Sequence, residues 1–426
     1  MSLTYVLDIN GQPLMPTQRH GKVYRLLKSG KAKVVQREPF TIKLLYEPET
    51  HIVQDCILGV DTGSKYVGAA VVSNGRVLYA SEVKIKNDIK SKMDRRRAYR
   101  RNRRYRKTRY RKARFLNRGN STKKGRYSPT LKSKFNSHVR EIEFIKSILP
   151  INKLILEVGQ FDAHKLKNPN VRGWGYQKGT NYGFANSREH ALCRDKYTCQ
   201  CCGAKNTRLE VHHIKYRSQG GTDDLDNLIT LCADCHKKVH AGKLSINKKS
   251  KKLPNFSDVT TMSILRSVLL KEYPDAIETF GYITKANREL SNLNKEHFID
   301  ACIIASGGEE FILPKDVFIK RHVTRGDYQL TKGIRSEKRI PHSKISGFRK
   351  WDKVLYMGEK YFIKGRRTSG TCDLEDIYGN KIDFSYMPRG FKTPKLSNCK
   401  KISKRNTTLC QRIKYISNRQ SGMRIP

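Results

Sequence analysis

The chain alternates between stretches with strand-like apolar patterning and stretches with helical spacing. "TYVLDINGQPLMPT" reads as strand, turn and strand, and "RHGKVYRLLKSGKAKVV" as a short helix followed by another strand. From Cys56, "CILGVDTGSKYVGAAVVSNGRVLYASEVKI" predicts two or three strands with turns at Asp61–Ser64 and Asn74-Gly75. "SHVREIEFIKSILP" has the spacing of a helix, and "NKLILEVG" is a short apolar strand ending on an acid. A Gly-, Asn- and Tyr-rich connector follows (Lys167–Phe184). A compact Cys/His region then runs from about Ser187 to Gly242 and ends in the linker "INKKSKKLPN". A helix near Met262–Glu272, a strand "AIETFGYI" and a helix "NKEHFIDACIIAS" resume the earlier pattern, and from Phe311 the chain is β-rich, basic and turn-punctuated. No internal repeat is visible.

One stretch fits neither pattern. Met93–Arg118 holds fourteen Arg and Lys in twenty-six residues and a single acid, Asp94. It contains neither Gly nor Pro, so one continuous helix is expected. Its apolar members fall on no single face, which excludes an ordinary amphipathic helix packed on a core. Like charges at i,i+4 repel, and a polyanion would relieve that repulsion. A disordered basic tail or localisation signal is the competing reading, although the segment sits mid-chain with folded sequence after it.

Composition narrows the partner. The 426 residues predict two to four domains, and 87 basic against 38 acidic residues give a formal charge of +49. That is the electrostatic footprint of a nucleic-acid binder. An anionic membrane is the other polyanion. However, "MSLTYVLDIN" lacks a signal-type pattern and no apolar run nears the ~18–20 residues needed to span, so a soluble cytoplasmic protein is expected. Eleven cysteines, four of them in two Cys-x-x-Cys pairs, point to metal binding rather than a disulfide framework.

Two groups of residues carry candidate chemistry. Asp61 follows an apolar strand in "LGVDTG", Glu157 ends "KLILE", and His297 and Asp300 lie three apart on one helical face. Three carboxylates converging at sheet edges can hold two divalent ions for phosphodiester cleavage, with His297 as a base or phosphate-orienting group. "GVDTG" also occurs in actin-like ATPases, but no P-loop is present. In the second group, Cys199, Cys202, Cys232 and Cys235 predict a closed tetrahedral zinc site, with Cys201 spare. Around it lie His212, His213, Asn227, and His236 and His240 at i,i+4. One imidazole can activate water while other ligands hold a single ion near the scissile phosphate. A zinc ribbon with incidental histidines is the bland alternative.

"VHHI…DNL…C-x-x-C-H-x-x-x-H" resembles the zinc-containing HNH nucleases. That resemblance implies His213 as general base, His212, His236 and His240 as ligands of the catalytic ion, and Asn227 as the residue orienting the base. "GVDTG", "LILEVG" and "HFIDA" resemble the three split motifs of RuvC-like nucleases, implying Asp61, Glu157 and Asp300 as metal ligands with His297 beside them. The order of motifs, the "PLMP" at Pro13–Pro16 and the Arg-rich helix together resemble IscB, a family of transposon-encoded RNA-guided nucleases related to type II CRISPR effectors. The resemblance implies that Arg95, Arg96, Arg97, Arg100, Arg101, Arg103, Arg104, Arg106, Arg109, Arg111 and Arg114 bind RNA along a bridge helix. His236 departs from the CRISPR effectors, which usually carry Asn there.

The implied architecture is multidomain α/β: an RNase H-like (RuvC) core with an inserted zinc-containing HNH (ββα-metal) domain. The implied boundaries are a PLMP module (1–55), RuvC segments at 56–87, 126–165 and 260–310, and the bridge helix at 88–125. The HNH domain spans 191–242 between linkers 166–190 and 243–259, and a basic β-rich domain (311–426) binds RNA and a target-flanking motif. The implied function is RNA-guided double-strand DNA cleavage, HNH cutting the RNA-paired strand and RuvC the displaced one. Mg2+ or Mn2+, Zn2+ and a long structured guide RNA are the implied cofactors. A monomeric protein within a bacterial or archaeal ribonucleoprotein is the implied assembly. A protein-guided HNH/RuvC endonuclease of restriction or homing type uses the same two sites without RNA, and a non-catalytic RNA-binding protein with relic nuclease domains is the third reading.

Overall fold

A computed structural model describes residues 3–48, 53–105, 126–159, 165–166, 169–178, 181–219, 221–246, 257–324, 344–388 and 392–415. The chain divides into two compact units, Met1–Gln160 with Thr261–Pro426, and Phe161–Thr260.

The first unit opens on a four-stranded sheet in the order β2-β1-β4-β3, made by β1 (Thr4–Leu7), β2 (Pro13–Thr17), β3 (Ala32–Arg37) and β4 (Phe40–Leu44). Helix α1 (His20–Lys28) packs Val23 onto Ala32, Ile42 and Leu44. Strand β4 was not anticipated from the sequence, where Glu38-Pro39 masks its start.

The centre of the unit is a seven-stranded mixed sheet, β11-β8-β5-β6-β7-β12-β17. Its strands are β5 (Ile57–Thr62), β6 (Tyr66–Ser73), β7 (Arg76–Lys84), β8 (Lys153–Glu157), β11 (Ile277–Thr279), β12 (Asp316–His322) and β17 (Thr408–Lys414). The acid-bearing sheet therefore does not stop at residue 310. Strand β12 runs parallel to β7 and β17 pairs antiparallel to β12, so the C-terminal region contributes two strands to it. What remains is a separate antiparallel sheet, β15-β14-β13-β16, over Val354, Ile363, Leu374 and Leu396. Those strands are β13 (Lys353–Tyr356), β14 (Glu359–Arg366), β15 (Cys372–Glu375) and β16 (Lys400–Ser403). Among the described residues no ladder joins β15 to β16, so this sheet is open.

The two faces of the seven-stranded sheet are covered differently. On one face, α3 (Pro129–Lys146) and α6 (Ser257–Glu272) bury Ile142, Ile145, Leu265 and Leu269 against Leu58, Val60, Val67 and Leu156. Helix α3 starts eight residues before the helical stretch read from the sequence, because Ser128 caps it and Pro129 occupies its first turn. On this face Glu141 accepts hydrogen bonds from Tyr79 (2.9 Å), Ser81 (2.8 Å) and Lys320 (2.8 and 2.9 Å), an ion pair closed off from water.

On the other face lies α8 (His297–Ser306), with α7 (Gly281–Leu290) beside it. Helix α7 takes the end of "AIETFGYI", leaving only Ile277–Thr279 as strand. Helix α8 meets the sheet backbone to backbone. A Cβ on Gly59 would stand 2.5 Å from the Ala301 carbonyl oxygen, and one on Gly68 only 1.9 Å from that of His297. The Arg-rich segment is helical over α2 (Ile89–Tyr105). Arg95, Arg96, Arg97, Arg100 and Arg101 are exposed on it, while Arg103 and Arg104 are on it as backbone. Arg106, Arg109, Arg111 and Arg114 lie outside the described residues.

The second unit is built on a hairpin-like pair, β9 (Leu209–His213) antiparallel to β10 (Leu228–Cys232), flanked by α4 (Ser187–Arg194) and α5 (Ala233–His240). Helix α4 is part of this unit and not a linker. Arg194 donates to the carbonyls of Leu225 (2.6 Å) and Leu228 (2.8 Å), and Asp195 accepts from the Thr230 amide (3.0 Å). No helix among the described residues is long and apolar enough to cross a membrane.

The glycine contacts give a direct test. Gly68→Ala should cost about 3 kcal/mol or more, because helix backbone must move to admit the methyl group. Gly21→Ala, in α1 with nothing within 4 Å of the new Cβ, should instead stabilise by about 0.5–1 kcal/mol. Denaturant midpoints of the two variants decide this; a neutral Gly68→Ala would refute the contact.

Candidate nuclease sites

The first site is assembled by strand register. Asp61 is the partner of Glu157 across the parallel β5–β8 ladder and of Gly68 across the antiparallel β5–β6 ladder. Residues paired in register point to the same face, here the one covered by α8. Helix α8 adds its first turn: His297 Nδ1 lies 2.6 Å from Asp61 Oδ2, and the His297 ring stacks on Tyr66 at 5.4 Å. Asp300, one turn along, takes Arg288 Nη1 of α7 at 2.6 Å.

The electrostatics are those of crowded acids held in place by cations. Burial, reinforced by the Asp61 carboxylate, pushes Glu157 up to about 7. Burial also raises Asp300, against the pull of Arg288, and the Asp61 hydrogen bond raises His297. Glu157 Oε2 is buried without a hydrogen-bond partner. An orphaned carboxylate oxygen that feels the charges of Asp61 and Asp300 has the donor chemistry a divalent cation takes, although the three carboxylates do not form a group of oxygens within 4.8 Å of one another. The structure thus brings Asp61, Glu157, His297 and Asp300 to one sheet edge, with His297 and Arg288 occupying positive positions among them.

The second site is local in sequence. Sγ atoms of Cys199, Cys202, Cys232 and Cys235 all lie within 4.8 Å of one another. Cys232 also caps α5, accepting from the Cys235 amide at 3.5 Å. Burial opposes ionisation of Cys199, but the surrounding amides of Cys202, Cys232 and Cys201 prevail and hold its thiol at about 6. Four sulfurs at this spacing, one already inclined to thiolate, fit zinc.

The histidines divide between two faces of β9. His212 faces α5, and one ring nitrogen each of His212, His236 and His240 falls within 4.8 Å of the others. Burial and the neighbouring imidazoles hold His212 down to about 4, so its nitrogen lone pair stays available. His236 Nδ1 lies 2.6 Å from Glu210 Oε2, an outer carboxylate fixing a ligand ring. These three residues fit a divalent ion. His213 points the other way, its Nε2 2.7 Å from Asp223 Oδ1, which Arg217 also engages at 2.7 Å. Asn227 does not contact the His213 ring. Its side chain instead accepts from the Lys215 amide (2.8 Å) and donates to the carbonyls of Lys215 (3.1 Å) and Thr222 (2.8 Å), so it pins the loop that carries Asp223. A cleft of about 650 Å³ opens beside these residues, lined by Arg188, Arg208, Arg217, His213 and His236.

Sequence reasoning missed Asp223, Glu210, Arg288 and Tyr66. Glu210 carried a signal, since it shares a strand face with His212 two residues on. Asp223, in the acidic run "TDDLD", could not be told from a solvated loop.

Comparison with known proteins assigns the class. Residues 199–242 match the family described as HNH endonuclease, and residues 4–179 match the family described as RRXRR protein. The sequence spells that pattern at Arg100–Arg104. The chain is 40% identical to anaredoxin of Nostoc sp. (strain PCC 7120 / SAG 25.82 / UTEX 2576) over 53 residues, 12% of this chain and 70% of that protein. It is 29% identical to the type IV methyl-directed restriction enzyme EcoKMcrA of Escherichia coli (strain K12) over 96 residues, 21% of this chain. In the latter case it spans only 29% of the relative's length. This is a mixed α/β protein with an HNH endonuclease domain and an RRXRR domain. Over the 53 residues they share, it belongs to one family with anaredoxin.

Two outcomes test the sites. Cys199→Ser should lose one equivalent of zinc by metal analysis and open residues 187–242 to proteolysis, leaving the seven-stranded sheet protected; full zinc retention would refute the cluster. Glu157 has a folded pKa above its unfolded value of about 4.3, so its cost to stability grows as pH rises from 4 through 7. In divalent-free buffer Glu157→Gln should therefore stabilise the protein by roughly 1–3 kcal/mol at pH 8 and hardly at all at pH 4. Equal denaturation shifts at both pH values would refute that assignment.

Proposed function

We propose that this protein is an RNA-guided DNA endonuclease of IscB type with two separate cutting sites. The observation that carries the reading is the presence of two distinct nuclease-type constellations in one chain, a carboxylate row on a mixed sheet and an HNH histidine cluster. The exposed arginines of α2 leave directly from the strand-rich segment holding the first acid. The RRXRR and HNH matches support the combination, and the formal charge of +49 suits a large nucleic-acid partner.

In the HNH domain His213 accepts the proton of the attacking water. Asp223 holds the ring through Nε2, which leaves Nδ1 facing the reaction and stabilises the imidazolium that forms. Arg188, Arg208 and Arg217 line the cleft for phosphate oxygens. His212, His236 and His240 would hold a divalent ion, which supplies charge neutralisation at the scissile phosphate. In the carboxylate row, Asp61, Glu157 and Asp300 would hold Mg2+ or Mn2+, while His297 orients or deprotonates the nucleophile. HNH cuts the RNA-paired strand and the carboxylate site the displaced strand. The C-terminal region, where Tyr386 stands exposed, takes part in binding RNA and the flanking DNA motif.

The restriction-enzyme likeness favours a second reading, a DNA endonuclease guided by protein contacts alone. Nucleic acid that co-purifies with the protein, expressed with its native flanking DNA, separates the two. One discrete RNA mapping beside the gene supports guidance, whereas heterogeneous DNA transfers the α2 arginines to DNA phosphates.

Strand-resolved cleavage tests the two-site division. Asp61→Ala should abolish one nick and His213→Ala the other, each slowed by about 10²–10⁴-fold. Loss of both nicks from either single change would overturn it.

A further inference from the structure

One acid beside the carboxylate row has no assigned role. Gly68 is in register with Asp61 on one side and with Glu82 of β7 on the other. Glu157, Asp61, Gly68 and Glu82 therefore form one row across four strands, all on the face covered by α8. Gly68 is the gap in the row, and His297 fills it: its carbonyl oxygen takes the space a Cβ would need. The ring of His297 is bonded to Asp61 at 2.6 Å, is steadied by Tyr66 and feels the charge of Glu82 from the other side of the gap in the row.

The acids that act on His297 are Asp61, Glu82 and Asp300. Asp300 is already committed to Arg288 at 2.6 Å. Glu82 is partly buried, feels the charges of both His297 and Asp61, and takes no hydrogen bond from any described residue. An Asp61 oxygen that bonds an imidazole N–H cannot at the same time give its full charge to a divalent ion. With its helix start fixed on Gly68, His297 has Glu82 as the uncommitted carboxylate of the row to turn to.

We propose that Glu82 is a positioning residue that shares His297 with Asp61, drawing the imidazole aside so that Asp61 is free to ligate a divalent ion. Glu82 keeps His297 at the edge of the site instead of losing it to solvent. This rests on the reading of the carboxylate row as a divalent-ion nuclease site.

Mn2+ binding to the full zinc-loaded chain, followed by electron paramagnetic resonance, tests both layers. The site is defined as the Mn2+ population that Asp61→Ala removes. Absence of any such population in the parent protein overturns the underlying reading. Where it is present, Glu82→Gln should weaken it about fivefold or more, Glu82→Asp should restore most of the loss, and the unfolding midpoint should barely move. His297→Ala removes the competitor and should tighten Mn2+ binding. In that background Glu82→Gln should have no further effect. An unchanged affinity in Glu82→Gln alone overturns the inference. So does an undiminished loss in the His297→Ala background, because Glu82 would then act on the ion directly. Half-saturating Mg2+ for nicking the displaced strand should rise with the same factor in Glu82→Gln.

Discussion

The close approach of α8 to β5 and β6 is the constraint on which the first unit depends. At Gly59 and Gly68 no side chain separates helix backbone from sheet backbone. A helix seated that near delivers its first turn to the height of the strand-borne acids, where the 2.6 Å hydrogen bond between His297 and Asp61 becomes possible. A spacer as small as a methyl group would lift the first turn away and leave Asp61 and Glu157 facing solvent or each other. The small residues that line this interface, Ala70 against Ala301, extend the same contact along the helix. Packing brings the acids together, and the Arg288 and His297 contacts then offset part of their mutual opposition.

That opposition is visible across the sheet. On the α3 face Glu141 is buried but fully paired, with Lys320, Tyr79 and Ser81 all donating to it, and its pKa falls despite burial. On the α8 face Glu157 is half-buried with one buried oxygen orphaned, and its pKa rises. The same sheet thus holds a satisfied carboxylate on one side and an unsatisfied one on the other. An unpaired buried acid costs stability, and evolution retains such a cost where the group has another use.

How much of this the sequence disclosed follows from distance along the chain. The clustering of the four cysteines was legible because they come in Cys-x-x-Cys pairs, and the pairing of β9 with β10 then sets His212 on the face toward His236 and His240. Asp61, Glu157 and Asp300 were legible through strand and helix motifs but not their mutual geometry, since register across four strands leaves no periodic trace. Glu82, inside an ordinary alternating strand, is indistinguishable in sequence from a surface acid. Arg288 was hidden further, because "AIETFGYI" reads as strand and so conceals the helix that carries it. The reach of the seven-stranded sheet past residue 310 was also hidden: nothing local tells β12 that its partner is β7, more than two hundred residues earlier. The PLMP module, the segment boundaries and the bridge role of α2 came from resemblance alone.

The two sites therefore differ in how they are made, and that difference has consequences for how each can fail. The histidine cluster is built from one short contiguous stretch around four clustered sulfurs, so its geometry depends on short-range pairing. The carboxylate row is drawn from β5, β7, β8 and α8, and exists only once strands distant in sequence have paired and α8 has settled on its glycines. A lesion in the zinc cluster is confined to its own unit. A lesion in the α8 contact reaches each acid in the row together, because no member of the row is positioned by its own neighbours in sequence. Two side-chain clusters with independent structural foundations can be lost, or tuned, one at a time.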